Sequence, residues 1–153
     1  MKKMYEIDYN KVNKYIYLGS NACCQVHFDS KLLKKGIKAD ISLERIRLDH
    51  PVGVDYYLWL PVPDHHAASM KQLILGSKVI DSLVRDKIKM YVHCKNGHGR
   101  SPSLVIAWLI ANGMRLEEAV RYVKKRRPSV HLNSRQINAL KKFSKLVKNK
   151  KLV

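Results

Sequence analysis

The sequence predicts an α/β domain in three layers, with a small, mostly parallel central sheet flanked by helices. Two observations support this class. Short apolar runs typical of strands fill the first two thirds of the chain, and helical patterns follow them. Residues 54–60 are almost wholly apolar, as in a strand buried on both faces. Pro61 and Pro63 are expected to end that strand, because proline cannot donate to a strand ladder.

The first part of the chain supplies three further elements. Residues 15–18 predict a short strand that ends at Gly19. Residues 31–35 predict a short helix, which Gly36 ends. Residues 37–43 alternate enough apolar positions to predict another strand.

The central part of the chain alternates between helix and strand. Residues 69–84 predict a helix with one apolar stripe and a serine cap at its first residue. Residues 88–92 predict a strand. The next helix is expected to start at Ser101, which serves as its cap, with Pro102 in its first turn. Residues 104–111 are apolar all round, so this helix should be central and buried.

Two amphipathic helices complete the domain. Residues 116–123 carry acidic residues early and are followed by basic ones, as the helix dipole prefers. Residues 137–147 form the last apolar stripe. Asn133 and Gln136 stand three positions apart before it, which fits a capping box.

Size and composition limit the organisation of the chain. Its 153 residues, 46% of them apolar, suffice for one core, so residues 1–153 are expected to form a single domain. No run of eighteen apolar residues occurs, so stable membrane insertion is not expected. The polar N-terminus lacks the apolar core of a secretion signal. Three cysteines make no disulfide framework, which favours a reducing cytoplasm. We expect a monomer.

The net charge of +18 favours anionic partners, among them phosphorylated proteins, nucleic acid, inositol phosphates and anionic membranes. Basic residues cluster at 124–127 and again at 141–151. We interpret them as a solvated helix face and a basic tail that frays from about residue 146.

The segment 93–101 carries the strongest chemical signal. Five residues separate Cys94 from Arg100, a strand leads in, and a helix follows. A loop of this length can curl so that its backbone N–H groups converge on an anion at the helix N-terminus, and Gly97 and Gly99 permit the required backbone. The same field favours a thiolate, which makes Cys94 a candidate nucleophile. Arg100 offers a planar fork that matches two phosphate oxygens.

A thiolate that expels an alkoxide or phenoxide needs a general acid to protonate the leaving oxygen. Asp64 is the best candidate. It follows a predicted buried strand at the sheet edge where ligands of open α/β sheets bind, and its loop is stiffened by Pro61 and Pro63.

These segments together resemble the dual-specificity subgroup of the protein tyrosine phosphatase superfamily. The matching segments are 14–20 with its opening strand, 60–64 with its general-acid loop, 92–102 with its phosphate loop, and 127–130 with Asn133 before its last helix. The resemblance covers roughly residues 12–145. Order and spacing agree, which is more specific than any one motif.

The resemblance implies a metal-free, cofactor-free phosphatase that forms a phosphocysteine. Cys94 would attack phosphorus, and Asp64 would donate a proton and then activate water. Arg100 would bind phosphate throughout, and Ser101 would help release the thiolate. The implied phosphate-binding residues are those of the loop: Lys95, Asn96, Gly97, His98, Gly99 and Arg100. His93, Asn133 and Gln136 would have supporting roles.

The resemblance also implies phosphotyrosine, phosphoserine and phosphothreonine in proteins as substrates. Lys95 also occurs in relatives that hydrolyse phosphoinositides, but His98 is less basic than the residue those relatives carry. Hydrolysis of RNA 5′-phosphates is a further alternative, and a phosphate-binding module without turnover is an alternative of another class. His65, His66 and His98 are interpreted as loop histidines rather than metal ligands, since no carboxylate or cysteine stands at ligand spacing. Cys23 and Cys24 could protect Cys94 as a disulfide, although core packing is the more common role of such cysteines.

Overall fold

The computed structural model describes residues 7–21 and 28–150, and within them a five-stranded sheet carries the site. The strands are β1 (Tyr9–Lys11), β2 (Ile16–Gly19), β3 (Ile37–Glu44), β4 (Tyr56–Val62) and β5 (Lys89–His93). The helices are α1 (Ser30–Lys34), α2 (Met70–Arg85), α3 (Arg100–Ala111), α4 (Leu116–Arg126) and α5 (Ser134–Lys148).

The strand order is β1-β2-β5-β3-β4, and every neighbouring pair except β1 with β2 is parallel. This confirms the predicted small, mostly parallel sheet. The carboxyl ends of β3, β4 and β5 therefore meet at one edge, where ligands of open α/β sheets bind. β1 was not predicted, because three residues are too few to show a periodic pattern.

Alternating side chains on the strands divide the molecule into layers. Met90 and Val92 of β5 face the main core, which α3 shares, whereas Tyr91 between them faces a smaller cluster with Phe28 and Leu32. α2, α3, α4 and α5 pack together around the first core, and α1 packs on β3. The three-layer α/β architecture is thus confirmed.

The prediction that β4 is buried on both faces is wrong. β4 is an edge strand, and Tyr56 and Trp59 are 52% and 39% exposed. The apolar run consists largely of aromatic residues on an exposed edge strand, and it does not mean that both faces of the strand are buried. The strand also continues through Pro61 to Val62, since the missing N–H of a proline is tolerated on an edge strand.

The helices follow the predicted pattern with two differences. α3 is buried from Arg100 to Ile110, as its all-round apolarity predicts. Ser101 is not its cap, however, because the helix already begins at Arg100 and Gly99 occupies the cap position. α5 remains helical to Lys148, slightly beyond residue 146, from which the tail is expected to fray. In the described part of the chain no helix is long and apolar enough to cross a membrane. Cys23 and Cys24 lie outside the described residues.

α2 and α3 approach each other closely at Gly76. A Cβ at this position would lie 2.5 Å from Leu104 Cδ1 and 3.1 Å from Leu60 Cδ1. We predict that Gly76→Val lowers the free energy of unfolding by about 2 kcal/mol, because overpacking outweighs the gain from removing a glycine from a helix. Urea denaturation measures the change. Leu75→Val, on the exposed neighbouring position, is the control; equal losses in both variants would contradict close packing at Gly76.

Candidate active site

The sulfur of Cys94 lies at the N-terminus of the buried helix α3. Cys94 follows β5 directly and is 2% exposed. The backbone N–H of Gly97 points at Sγ from 3.3 Å, and Ser101 Oγ lies 3.2 Å from the same atom. Hydrogen-bond donors and the positive end of a helix therefore converge on the sulfur of Cys94.

The loop that surrounds the sulfur depends on Gly97. Its φ is +70°, and a Cβ there would lie 2.6 Å from the carbonyl oxygen of Gly19. An L side chain is therefore excluded both by backbone conformation and by contact with another backbone segment. The glycine lets the chain reverse so that the amide of residue 97 faces the sulfur.

Arg100 is buried beside the sulfur and is held from β3 and β4. Its Nη1 donates to the carbonyl oxygen of Val62 at 2.8 Å, and Nη2 lies 3.5 Å from Glu44 Oε2. Burial opposes ionisation of Glu44, but the Ile46 amide and the Arg100 guanidinium outweigh it, so the pKa of Glu44 is lowered. Glu44 thus compensates the buried arginine, a role that the sequence did not predict.

Asp64 follows β4 and faces the same cavity. Its Oδ1 lies 3.4 Å from Arg100 Nη2, and its side chain is 45% exposed. The cavity has a volume of about 100 Å³. It is lined by Asp64, His65, Cys94, Asn96, His98, Gly99, Arg100, His131, Asn133 and Gln136. The structure therefore brings the three principal candidates, Asp64, Cys94 and Arg100, around one space.

Four predicted residues lie outside that lining: His93, Lys95, Gly97 and Ser101. Lys95 belongs to the loop, but it is exposed. Gly97 contributes its amide, and Ser101 approaches the sulfur from the first turn of α3. His65 and His66 are exposed, as expected of loop histidines.

Asn133 and Gln136 do more than cap α5. They form the predicted capping box, Asn133 accepting from the Gln136 amide at 3.0 Å and Gln136 accepting from the Asn133 amide at 3.1 Å. Their remaining amide groups also reach the loop after Asp64: Asn133 Nδ2 donates to the His65 carbonyl, and Gln136 Nε2 donates to the His66 carbonyl. The start of α5 therefore positions the segment that follows Asp64.

Arg127 is fully buried, so the interpretation of residues 124–127 as a solvated helix face is wrong for this residue. Its Nε donates to the Gly97 carbonyl at 2.9 Å, and its Nη2 donates to the Asn96 carbonyl at 2.9 Å. The other contacts go to Asn10 Oδ1 and Asp8 Oδ2, at 2.8 and 3.0 Å. Arg127 thereby ties the loop around Cys94 to the segment that contains β1. The only sequence signal was its place in the family-like segment 127–130.

His93 lies on the sheet face opposite α3, among side chains that the sequence did not single out. Nδ1 contacts Asn21 Oδ1 at 2.8 Å, and Nε2 contacts Asp40 Oδ1 at 2.9 Å and Asp49 Oδ2 at 2.6 Å. Asn21 Nδ2 donates to Glu44, which leaves Oδ1 to accept from Nδ1. Both ring nitrogens therefore face acceptors, as an imidazolium requires.

The two carboxylates set the protonation of this cluster. Burial lowers the pKa of His93, but hydrogen bonds to Asp40 and Asp49 outweigh it and raise the pKa to about 10. Burial raises the pKa of Asp40 to about 7, and its Oδ2 has no hydrogen-bond partner. Burial also opposes ionisation of Asp49, but contacts with His93 and Asp40 lower its pKa to about 2. A protonated His93 is the form that this environment favours.

Within residues 7–21 and 28–150, Asp40, Asp49 and His93 are the one group close enough to share a metal ion. The Nε2–O distances of 2.6 and 2.9 Å are hydrogen-bond distances. Ligands of a tetrahedral zinc, with bonds of about 2.0–2.1 Å, stand roughly 3.3 Å apart. The spacing fits a shared proton better than a metal.

His98 and His131 form a pair at the rim of the cavity. Their ring centroids lie 5.2 Å apart, and the His131 amide donates to the His98 carbonyl at 2.9 Å. Burial, His131 and Arg127 lower the pKa of His98. His98 is therefore largely uncharged at neutral pH.

The His93 cluster predicts how stability changes with pH. Folded His93 holds its proton more tightly than unfolded histidine, so its contribution is present below about pH 6.5 and lost as pH rises towards its folded pKa of about 10. The raised pKa of Asp40 also lowers the stability as pH rises from 3.8 to about 7. The lowered pKa of Asp49 instead lowers the stability as pH falls below 3.8. Asp49→Asn removes one carboxylate, so the decline above pH 7 should become smaller. Urea denaturation at several pH values measures it, with Asp86→Asn as the exposed control; an unchanged slope in Asp49→Asn would contradict the assignment.

Comparison with known proteins places this geometry in a family. Residues 16–146 match the model of the dual specificity phosphatase catalytic domain. The chain is 31% identical over 137 residues to human dual specificity protein phosphatase 1, covering 87% of this chain and 36% of that protein. It is 39% identical over 67 residues to the protein-tyrosine-phosphatase IBR5 of Arabidopsis thaliana, covering 43% of this chain and 26% of that protein. The chain thus spans about a quarter to a third of the length of these relatives.

Solved structures agree in fold. A structure of PTPMT1 in complex with PI(5)P superposes with a TM-score of 0.82 at 22% identity, covering 94% of this chain and 98% of that one. The structure of human DUSP28 gives a TM-score of 0.82 at 24% identity, with 92% and 99% covered. With the family match over residues 16–146, the chain belongs to the family of dual specificity phosphatase catalytic domains.

Proposed function

We propose that this chain hydrolyses phosphotyrosine, phosphoserine and phosphothreonine in proteins through a phosphocysteine intermediate. One observation carries the proposal: Cys94, Arg100 and Asp64 line a single cavity of about 100 Å³. A nucleophile, an anion-binding fork and a proton donor around one space are the groups that phosphate ester hydrolysis requires.

In the first step the Cys94 thiolate attacks phosphorus, so that an S–P bond forms and the ester O–P bond breaks. Asp64 in its acid form gives its proton to the departing oxygen. Arg100 and the loop amides bind the equatorial oxygens, where negative charge develops. The Val62 carbonyl and Glu44 hold the guanidinium in place before substrate arrives.

In the second step water attacks the phosphocysteine, and the Asp64 carboxylate takes its proton. The S–P bond breaks, and inorganic phosphate and the thiolate are released. Ser101 Oγ, 3.2 Å from Sγ, can donate a hydrogen bond to the sulfur as its charge returns.

The lining of the cavity supports a broad choice of phosphorylated residue. Among the described residues that line it, none is phenylalanine, tyrosine or tryptophan. A pocket that selects phosphotyrosine would be expected to grip the ring between apolar walls. A polar lining does not pack against an aromatic ring in this way, so alkyl and aryl phosphates can both reach Cys94.

Phosphoinositides are a second candidate substrate. The exposed Lys95 beside the nucleophile favours an anionic headgroup, and one fold neighbour, PTPMT1, was solved with PI(5)P. His98 argues for protein substrates instead, because its lowered pKa leaves position 98 without a full positive charge at neutral pH. The net charge of +18 keeps RNA 5′-phosphates among the substrates to compare.

The nucleophile is tested by Cys94→Ser. We expect the native chain to show its highest kcat/KM on phosphotyrosine and phosphothreonine peptides within a panel that includes phosphoinositides and 5′-triphosphorylated RNA. The variant should lose turnover on all of them by more than about a thousandfold, because a hydroxyl is a far weaker nucleophile than a thiolate. Calorimetry should show that it still binds phosphopeptide. Retained turnover in the variant would refute the cysteine mechanism, and a native chain that binds without turnover would be a binding module.

The acid is tested by Asp64→Asn. Loss of a general acid costs about 10² to 10⁴ in rate when the leaving group is a poor one. We therefore expect a large loss of kcat on a phosphothreonine peptide and a much smaller one on p-nitrophenyl phosphate, whose leaving group needs little protonation. Asp86→Asn, an exposed carboxylate at the end of α2, should leave both rates unchanged. Equal losses on the two substrates would exclude Asp64 as the acid.

A further inference from the structure

The connection between β3 and β4 presents apolar side chains to solvent next to the cavity. Ile46, Leu48 and Val52 are 89%, 61% and 67% exposed. Exposed apolar side chains scattered singly over a surface need no explanation, but a group of them on one short segment marks an interaction site. We call residues 45–48 (Arg-Ile-Arg-Leu) the docking loop.

The exposure is not a result of a loosely held segment. Glu44 Oε1 accepts hydrogen bonds from the amides of Arg45 and Ile46, at 2.9 and 3.1 Å. At the other end, Asp49 Oδ2 lies 2.6 Å from His93 Nε2. Both ends of the docking loop are therefore fastened to residues that contact the active-site machinery. The backbone that carries Ile46 and Leu48 is therefore held at both ends.

The charge of the docking loop indicates what it meets. Arg45 and Arg47 alternate with the two aliphatic residues, and both arginines are exposed. A surface that presents aliphatic side chains and cations together is complementary to a bilayer with anionic headgroups. The aliphatic side chains enter the boundary between headgroups and acyl chains, and the cations pair with the anionic headgroups. At the base of the loop Trp59 donates to the Glu44 carbonyl and remains 39% exposed, and tryptophan is a residue that favours the membrane interface.

The shape distinguishes a lipid surface from a peptide. A helical peptide that binds through apolar side chains needs a groove that buries them. An exposure of 89% means that Ile46 projects from the surface with few protein neighbours. A projecting side chain can enter a soft interface but cannot by itself enclose a ligand.

We propose that the docking loop is a peripheral binding site for anionic lipid bilayers, which places the catalytic cavity at the membrane surface. Ile46 and Leu48 enter the headgroup region, and Arg45 and Arg47 pair with lipid phosphates and carboxylates. Glu44, which precedes the loop, contacts Arg100, so the docking loop begins directly after a residue that holds part of the cavity lining. The site requires no transmembrane helix and is independent of which phosphate ester is hydrolysed.

Co-sedimentation of the full chain with vesicles tests the site. We expect binding to phosphatidylcholine vesicles that contain about one third phosphatidylserine and little binding to pure phosphatidylcholine. Ile46→Ser and Leu48→Ser should each weaken binding by about fivefold or more. Leu75→Ser, on an exposed leucine of α2, is the matched control and should bind like the native chain. Equal weakening by the control, or no binding by the native chain, would overturn the proposal.

The charge contribution needs a second comparison, because the whole chain is basic. Arg45→Gln with Arg47→Gln removes two charges from the docking loop, and Lys141→Gln with Lys142→Gln removes two exposed charges from α5. The first pair should weaken binding about tenfold more than the second. If the α5 pair has the larger effect, binding is a general attraction to the basic helices and the proposed site is wrong.

Fluorescence locates the contact independently. Trp59 is partly exposed and lies at the base of the docking loop, whereas Trp108 is 8% exposed in α3. Anionic vesicles should shift the emission of the native chain to shorter wavelength and leave that of Trp59→Phe unchanged. The variants of the docking loop, of α5, of Leu75 and of Trp59 should keep the native rate on p-nitrophenyl phosphate. Vesicle binding should persist in Cys94→Ser, so loss of membrane binding and loss of turnover are distinguishable. A native dimer that Ile46→Ser converts to a monomer would instead assign the loop to self-association and reject the lipid site.

Discussion

The buried guanidinium of Arg127 meets the main structural demand of the active-site loop. A loop that turns its amides inward towards an anion must turn carbonyl oxygens outward, and buried carbonyls need donors. Arg127 donates to the carbonyls of Asn96 and Gly97, and its remaining contacts reach Asn10 and Asp8. The conformation of the loop around Cys94 therefore depends on Arg127, which contacts the side of the loop that faces away from the substrate.

Charge compensation follows the same logic across the site. The chain has only 12 acidic residues against 30 basic ones, yet acids stand beside each buried cation near the sulfur. Asp8 meets Arg127, Glu44 meets Arg100, and Asp40 with Asp49 meets His93. Removing one member of a buried ion pair costs more than the pair contributes, because it leaves a charge without compensation. Four of the 12 acidic residues therefore compensate cations that are buried in or behind the active site.

The sequence was sufficient for the parts of the site that are local in the chain. Cys94 and Arg100 share one loop, and Asp64 follows a strand that ends at Val62, directly before Pro63. Asp40, Asp49 and Glu44 could not be found in this way, because their partners lie far away in the chain and meet them only through the strand order. The misassignment of β4 has a related cause: apolar content does not distinguish a central strand from an edge strand covered by aromatic rings. Ser101 was misplaced as a cap because helix α3 begins one residue earlier, inside the phosphate loop.

The edge position of β4 also explains why the docking loop lies close in the chain to residues that hold the active site. A parallel pair such as β3 and β4 needs a crossover connection, which a helix usually supplies. Here no helix lies between Glu44 and Tyr56, and the segment instead crosses the sheet face with Asp49 on His93 and its amide on Tyr57. Without a helix to cover, its outer apolar residues have no partner within the described chain. A ligand that presses on residues 45–48 thus acts on a segment fastened at Glu44 to Arg100 and at Asp49 to His93. The docking loop and the phosphate site are therefore neighbours in the fold, although the loop contributes no group to the reaction.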